Sequence, residues 1–332
     1  MTGAASLSPS ILAVGLLAEG LFDWLLGLFG GAACTAGRVV VGGDVFCAGY
    51  MQQALLAGLC IGVIAPLIGT FLVHRRLAFI GETLAHTAFA GVAIGLVVGT
   101  SLASPVSPYV AALVVAVGSA LLVQAIAEYT DAYGDVAMAI VLFGGFALGT
   151  VIMSLDSGGL SVGIRDYLFG SLSLVTRANV GLLVVLTATV VGTVAVTYRQ
   201  LLYVTFDETA ARVAGVNVRR YERLLVVLTA LVVVAAMQIM GVILVAAMLV
   251  VPVAAAAQVA TSFRQSLALA VVVAEVAVVA GIVVSYYFGL QESGIIVLVT
   301  IAGFVLAAGA AHLGVPERAG SLLAQVDDRR TR

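Results

Sequence analysis

The sequence predicts an all-α fold: a polytopic membrane bundle of about nine transmembrane helices, within a range of eight to ten. Three observations carry this expectation. Of 332 residues, 62% are hydrophobic and only 10% are charged, whereas a soluble domain is about 45–50% apolar and about 25% charged. The mean hydropathy is +1.20, more apolar surface than a soluble globule of this size can bury. The apolar residues also gather into stretches close to the roughly 20 residues that cross a bilayer. Disorder, a collagen-like repeat and a secreted disulfide scaffold are excluded by the same composition. A net charge of −2 offers no basic face to nucleic acid.

The first apolar segment, 10–31, contains Glu19 and Asp23. Two readings stay open: a tenth span, or an interfacial helix on the outer surface. No basic region precedes it, which argues against a cleaved signal peptide. Cys34 and Cys47 follow in the loop 32–50, either as a disulfide or as two unpaired small residues. Nine spans are then expected at 53–73, 83–100, 108–127, 135–154, 178–197, 224–241, 242–260, 266–288 and 295–313. They must be helical, because open strands cannot satisfy their backbone groups in lipid. Gly241 and Pro252 make 224–260 ambiguous between two short spans and a span plus a re-entrant segment. Pro66 and Pro252 are expected to kink their helices, and Cys60 to serve packing inside its span. Small residues four apart (Gly58 and Gly62; Gly91, Gly95 and Gly99; Gly145 and Gly149) place glycines on one helix face, where neighbouring backbones approach closely.

All fifteen cations are arginine. With the residues before 53 outside, Arg75, Arg76, Arg199, Arg212, Arg219, Arg220, Arg223, Arg264, Arg318, Arg329, Arg330 and Arg332 are cytoplasmic, and Arg38, Arg165 and Arg177 are not. This positive-inside bias orients the chain with a cytoplasmic C-terminus in the cell membrane.

The most informative polar cluster is Arg75-Arg76-Leu77-Ala78-Phe79-Ile80-Gly81-Glu82-Thr83-Leu84-Ala85-His86. Glu82 and His86 lie at i and i+4 and so share a helix face at the start of an otherwise apolar span. A carboxylate and an imidazole suit a divalent first-row metal. One pair supplies two ligands; two copies of the chain would supply four. A bland reading stands beside this one: Glu82 complements the helix N-terminus and His86 bonds a neighbouring helix. The zinc-protease motif His-Glu-x-x-His is absent.

The second cluster, Asp207 to Val216, occupies the longest expected cytoplasmic loop. Asp207 is a good N-cap, Glu208 suits the first turn, and Gly215 is a good C′ stop. A short amphipathic helix of about two turns follows, either a docking protrusion for a soluble partner or an ordinary interfacial helix. Glu275 lies mid-span, where a carboxylate is a functional candidate by default; it either lines a pathway or is protonated and bonded to a neighbouring helix. The acidic group Glu128, Asp131 and Asp135 is expected in a solvated cytoplasmic loop. Walker A requires Gly-Lys-[Ser/Thr], and the chain has no lysine, so energy from ATP must enter through another subunit.

Four stretches together resemble the permease subunit of metal-type ABC importers, the zinc and manganese family, over roughly residues 50–313. They are Met51–Leu56 with Gly69–Arg76; Gly81–His86, similar to the family's Gly-Asp-x-x-x-His; Tyr167-Leu168-Phe169-Gly170; and Ala210–Gly215 continuing into Met237–Gly241 and Leu249–Pro252. The resemblance implies a type II importer-like fold. It further implies a homodimer in the lipid bilayer, two cytoplasmic ATP-binding subunits and an extracytoplasmic metal-binding protein. The resemblance implies Zn2+ or Mn2+ as the transported substrate, with the wording Thr83-Leu84-Ala85-His86 leaning slightly to zinc-type members, and no cofactor bound by this chain. Glu82 and His86 match the metal-pathway positions. Asp207, Glu208, Ala210, Ala211, Arg212 and Gly215 fall on the ATPase-coupling helix. Glu82 departs from the usual Asp, and the extension 1–49 is longer than usual. The expected organisation is thus 1–49 as extension, 50–315 as permease domain and 316–332 as cytoplasmic tail. The alternative is a secondary transporter driven by an ion gradient, with Glu82 and Glu275 as titrating groups.

Overall fold

The computed structural model describes residues 27, 29–35, 37–39, 44–101, 108–130, 133–154, 170 and 175–313. Most of the 10–31 segment, Asp131, Arg165, Tyr167–Phe169 and the tail beyond 313 lie outside the described residues.

Among the described residues, nine helices are long and apolar enough to cross a membrane. They are α1 (Gly49–His74), α2 (Ile80–Ser101), α3 (Pro108–Tyr129), α4 (Gly134–Ser154), α5 (Arg177–Phe206), α7 (Val218–Met240), α8 (Val242–Val259), α9 (Phe263–Phe288) and α10 (Glu292–His312). The short α6 (Glu208–Val213) joins α5 to α7. The core is built on α1, α2, α7 and α8. Buried positions make up 78% of the apolar window of α1 and 11% of that of α10. The peripheral helices α3, α4, α5, α9 and α10 leave apolar side chains such as Phe143, Leu182, Val272 and Leu306 on the outside. That is the distribution a lipid solvent requires, since lipid tails are as apolar as leucine.

Glycine faces bring the helices together. A Cβ on Gly58 would lie 2.6 Å from Val278 of α9, and one on Gly91 would lie 2.6 Å from the Ala112 backbone of α3. Gly149 admits Phe89 of α2 against α4 in the same way. Gly241 ends α7 and begins α8 at φ +81°, a conformation that costs glycine nothing and other residues much. The stretch 224–260 is therefore two separate helices. Pro66 and Pro252 both lie inside continuous helices.

One boundary departs well beyond the usual margin. The stretch 198–206 was expected in a loop, yet α5 runs on for 30 residues to Phe206, about 45 Å at 1.5 Å per residue. That exceeds a hydrocarbon core of about 30 Å, so α5 projects beyond it. No proline or glycine interrupts the chain from Thr193 to Phe206, and the backbone ladder continues. At the other end of the bundle, Cys34 and Cys47 form a disulfide. Gln52 of α1 donates to the carbonyls of Gly30 and Phe46 at 3.2 and 3.1 Å, fastening the preceding segment to the top of α1.

Candidate functional site

The start of α2 places Glu82 in its first turn, and one helical turn later His86 Nε2 lies 3.1 Å from Glu82 Oε1. The Glu82 side chain is 43% exposed and that of His86 19%. The imidazole is held from α4, its ring edge-on to Phe146 at 5.1 Å between centroids. Phe146 in turn stacks on Phe89 at 5.8 Å. Thr83 donates to the Met138 carbonyl at 3.2 Å, a further tie between α2 and α4. His86 Nδ1 is buried with no hydrogen-bond partner. A buried polar atom without a partner is unusual in a folded protein, and here it is a lone pair or N–H with nothing to bind among the described residues. Among the described residues no group of three or more His, Cys, Asp or Glu side chains gathers.

The 207–216 cluster forms a protrusion. Asp207 caps α6 by accepting the Ala210 N–H at 2.8 Å. Gly215 closes it at φ +78°, with the Val216 N–H bonded back to the Ala211 carbonyl at 2.9 Å. The helix has six residues, shorter than the two turns expected. Ala211 is buried against Val204 of α5 and Val218 of α7, while Asp207, Glu208, Ala210, Arg212 and Gly215 are exposed. The alternation follows from helical geometry: a single inward methyl seats the turn and its polar residues face out.

The sequence reading missed an ion-pair cluster beside α6. The Arg75 guanidinium donates to Glu208 at 2.9 Å and also to Glu222 of α7. The sequence marks Arg75 as cytoplasmic and as part of the Arg75–His86 cluster, but gives it no partner. Its acceptors lie 133 and 147 residues away in the chain, and no local pattern announces such a pairing. A cleft of about 560 Å³ opens beside it. Glu128 lines this cleft from the end of α3. Asp135 stands in the first turn of α4, not in a loop, where the helix dipole favours an anion.

Glu275 lies on α9 against Gly62 of α1, its Oε1 2.8 Å from where a Cβ at residue 62 would stand. Both carboxyl oxygens are buried, and neither has a hydrogen-bond partner among the described residues. Among the described residues no bond from Glu275 to a neighbouring helix is formed, and the position beside it on α1 is a glycine with no side chain to offer. Glu275 packs between α9 and α1, whereas Glu82 lies in the first turn of α2.

Comparison with known proteins places this geometry in context. A family model described as the ABC 3 transport family matches residues 48–310. The chain is 32% identical over 258 residues to the manganese transport system membrane protein MntC of Halalkalibacterium halodurans, covering 78% of this chain and 86% of the relative. It is 26% identical to the high-affinity zinc uptake system membrane protein ZnuB of Haemophilus influenzae, over 76% of this chain and 94% of the relative. Among solved structures it resembles PsaBC from Streptococcus pneumoniae, determined in complex with a Fab. The TM-score is 0.71 at 26% identity, with 83% of this chain and 94% of the other covered.

Proposed function

The chain belongs to the ABC 3 transport family, and we propose from that premise that it is the permease subunit of an ATP-driven importer of divalent metal ions, zinc or manganese. The single observation that carries this reading is the match across residues 48–310, with relatives named for manganese and for zinc transport. It is a transport component and not a catalyst. It is a multi-pass protein of the cell membrane, with the C-terminus assigned to the cytoplasm from arginine placement.

We assign the metal pathway to Glu82 and His86. A carboxylate oxygen and an imidazole nitrogen are ligands that both Zn2+ and Mn2+ accept. The half-exposed carboxylate of Glu82 would face lipid in a lone chain, which is costly for a charge inside a span. A second copy of the chain packed on this pair removes that cost and raises the ligand count from two to four. The homodimer is thus argued from the exposure of the pair. The unpartnered Nδ1 of His86 gives the ring a free position, because which imidazole nitrogen binds is set by what the other one holds.

The exposed face of α6 is assigned to docking a cytoplasmic ATPase, with Asp207, Glu208, Ala210, Arg212 and Gly215 presented outward and Ala211 seating the helix. ATP hydrolysis belongs to that separate subunit, since this chain has no lysine with which to build a Walker A loop. A metal-binding protein on the opposite face delivers the ion. Residues 50–315 make up the permease proper.

The test is uptake of radioactive zinc and manganese by the complete transporter in proteoliposomes. Glu82→Ala and His86→Ala should each abolish ATP-dependent uptake while the complex still assembles. Wild-type uptake in both variants would remove the pair from the pathway. Uptake by the isolated chain under an ion gradient, without any ATPase, would instead favour a secondary transporter.

A further inference from the structure

We infer that Arg75 is a positioning residue that carries the movement of α6 to the start of α2, and so to Glu82 and His86. The inference rests on the permease reading above.

Three features support it. First, Arg75 joins three elements at one side chain: it ends α1, pairs with Glu208 in the first turn of α6, and pairs with Glu222 on α7. Its side chain is 9% exposed, while those of Glu208 and Glu222 are 44% and 28% exposed. A guanidinium so enclosed must keep a carboxylate partner, because a buried charge left alone is strongly unfavourable. The end of α1 therefore has to follow whichever helix holds it.

Second, the path from Arg75 to Glu82 is stiff. The N–H of Arg75 bonds to the carbonyls of Phe71 and Leu72 at 3.1 and 3.2 Å. Arg76 takes φ +60°, and the Leu77 N–H closes back onto the Leu72 carbonyl at 2.8 Å, the six-to-one bond of a Schellman stop. The Ile80 N–H then bonds to the Leu77 carbonyl at 3.1 Å, and that of Thr83 to Phe79 at 3.0 Å. Helix α2 thus begins directly off the turn that Arg75 anchors. A shift at the guanidinium moves the first turn of α2, which holds Glu82.

Third, the surroundings permit two arrangements. The cleft of about 560 Å³ beside the pair is lined by Glu208 and Glu222 together with Arg76, Arg219 and Arg223. A carboxylate released by Arg75 finds another cation there, so Arg75 can lean toward α6 or toward α7. Discrete alternative pairings of this kind are what a physical coupling element requires. Glu208 is also gripped by Arg212 at 3.6 Å, so its carboxylate moves with α6.

The experiment uses the complete transporter in proteoliposomes and measures metal uptake and ATP hydrolysis on the same sample. Arg75→Gln should lower the number of ions taken up per ATP hydrolysed by tenfold or more, with the complex assembled. Arg75→Lys, which keeps a cation between Glu208 and Glu222, should retain at least a third of the wild-type ratio. A purely structural role would lower uptake and hydrolysis in parallel and leave the ratio unchanged, and that result overturns the inference. If Arg75→Gln fails to assemble, Glu208→Gln decides: it removes the α6 arm and leaves Arg75 paired with Glu222. A wild-type ratio in that variant overturns the inference as well. Absence of zinc and manganese uptake by the wild-type complex would refute the importer reading itself, a separate outcome from an unchanged ratio in the variants.

Discussion

Leu249 is wedged between Gly69 of α1 and Gly81 of α2, and the two contacts differ in kind. Against Gly69 of α1 it presents backbone: a Cβ there would overlap the Leu249 carbonyl oxygen and lie 2.8 Å from its carbonyl carbon. Against Gly81, one residue before Glu82, it presents side chain, with Cδ1 2.6 Å from the would-be Cβ. Non-bonded carbons rest about 3.5–4.0 Å apart. Gly69→Ala must therefore push α8 away from α1 by about 1 Å, and a rigid helix does not yield locally. Overpacking costs about 1–3 kcal/mol, and we expect the upper end, roughly 2–3 kcal/mol. In Gly81→Ala the Leu249 side chain can change rotamer, at about 0.5–1.5 kcal/mol, and alanine's better helix propensity returns about 1 kcal/mol. The net effect should lie near zero. Leu249→Ala alone should cost about 2–5 kcal/mol as a cavity, since the residue is 1% exposed. Combining it with each glycine variant gives two double-mutant cycles. Leu249→Ala should rescue Gly81→Ala, with a coupling of about 1 kcal/mol, and should not rescue Gly69→Ala, where the offending atoms are backbone. The assay is reversible unfolding in mixed micelles, read by tryptophan-independent circular dichroism. Equal coupling in the two cycles, or a neutral Gly69→Ala, would refute the reasoning.

Three further outcomes are expected. Asp207→Ala removes the side-chain cap of α6 and should cost about 1 kcal/mol locally, seen as faster amide exchange across 208–216; unchanged exchange would contradict the cap. Arg76→Gly relieves a left-handed conformation that costs a non-glycine residue about 1–2 kcal/mol. It should raise the unfolding midpoint, and a lower one would show that the Arg76 side chain contributes more than its backbone costs. Glu275→Gln keeps the shape and removes the ionisable group; ATP-driven uptake should stay within twofold of wild type. Abolished uptake in an assembled complex would put Glu275 on the ion path after all.

The features legible in the sequence share one trait: each is local or periodic. Glu82 and His86 are neighbours because four residues make one helical turn, wherever that helix lies. Asp207 and Gly215 bound α6 because capping depends on residues a few positions apart. The glycine pairs of α1, α2 and α4 announced close helix faces, though not which helices would meet there. What escaped is non-local. Arg75 looked like one arginine among fifteen until the fold brought Glu208 and Glu222 to it. Phe146 had no visible tie to His86, nor Gly62 to Glu275. The loop expected at 198–206 was misread for a different reason: polar residues suggested the end of the span, but a helix ends where its hydrogen bonds are interrupted, and nothing interrupts α5 before Asp207.

Sequence by itself therefore determined the solvent, the helices and the chemistry carried on each, because bilayer thickness and backbone hydrogen bonding act on every segment separately. The tertiary structure decided which side faces what. It left the Glu82 carboxylate half-exposed beside His86, set the Glu275 carboxyl against a bare glycine, and drew α1, α6 and α7 together on one guanidinium. Those outcomes depend on how helix surfaces fit one another, and that fit is a property of the assembled bundle.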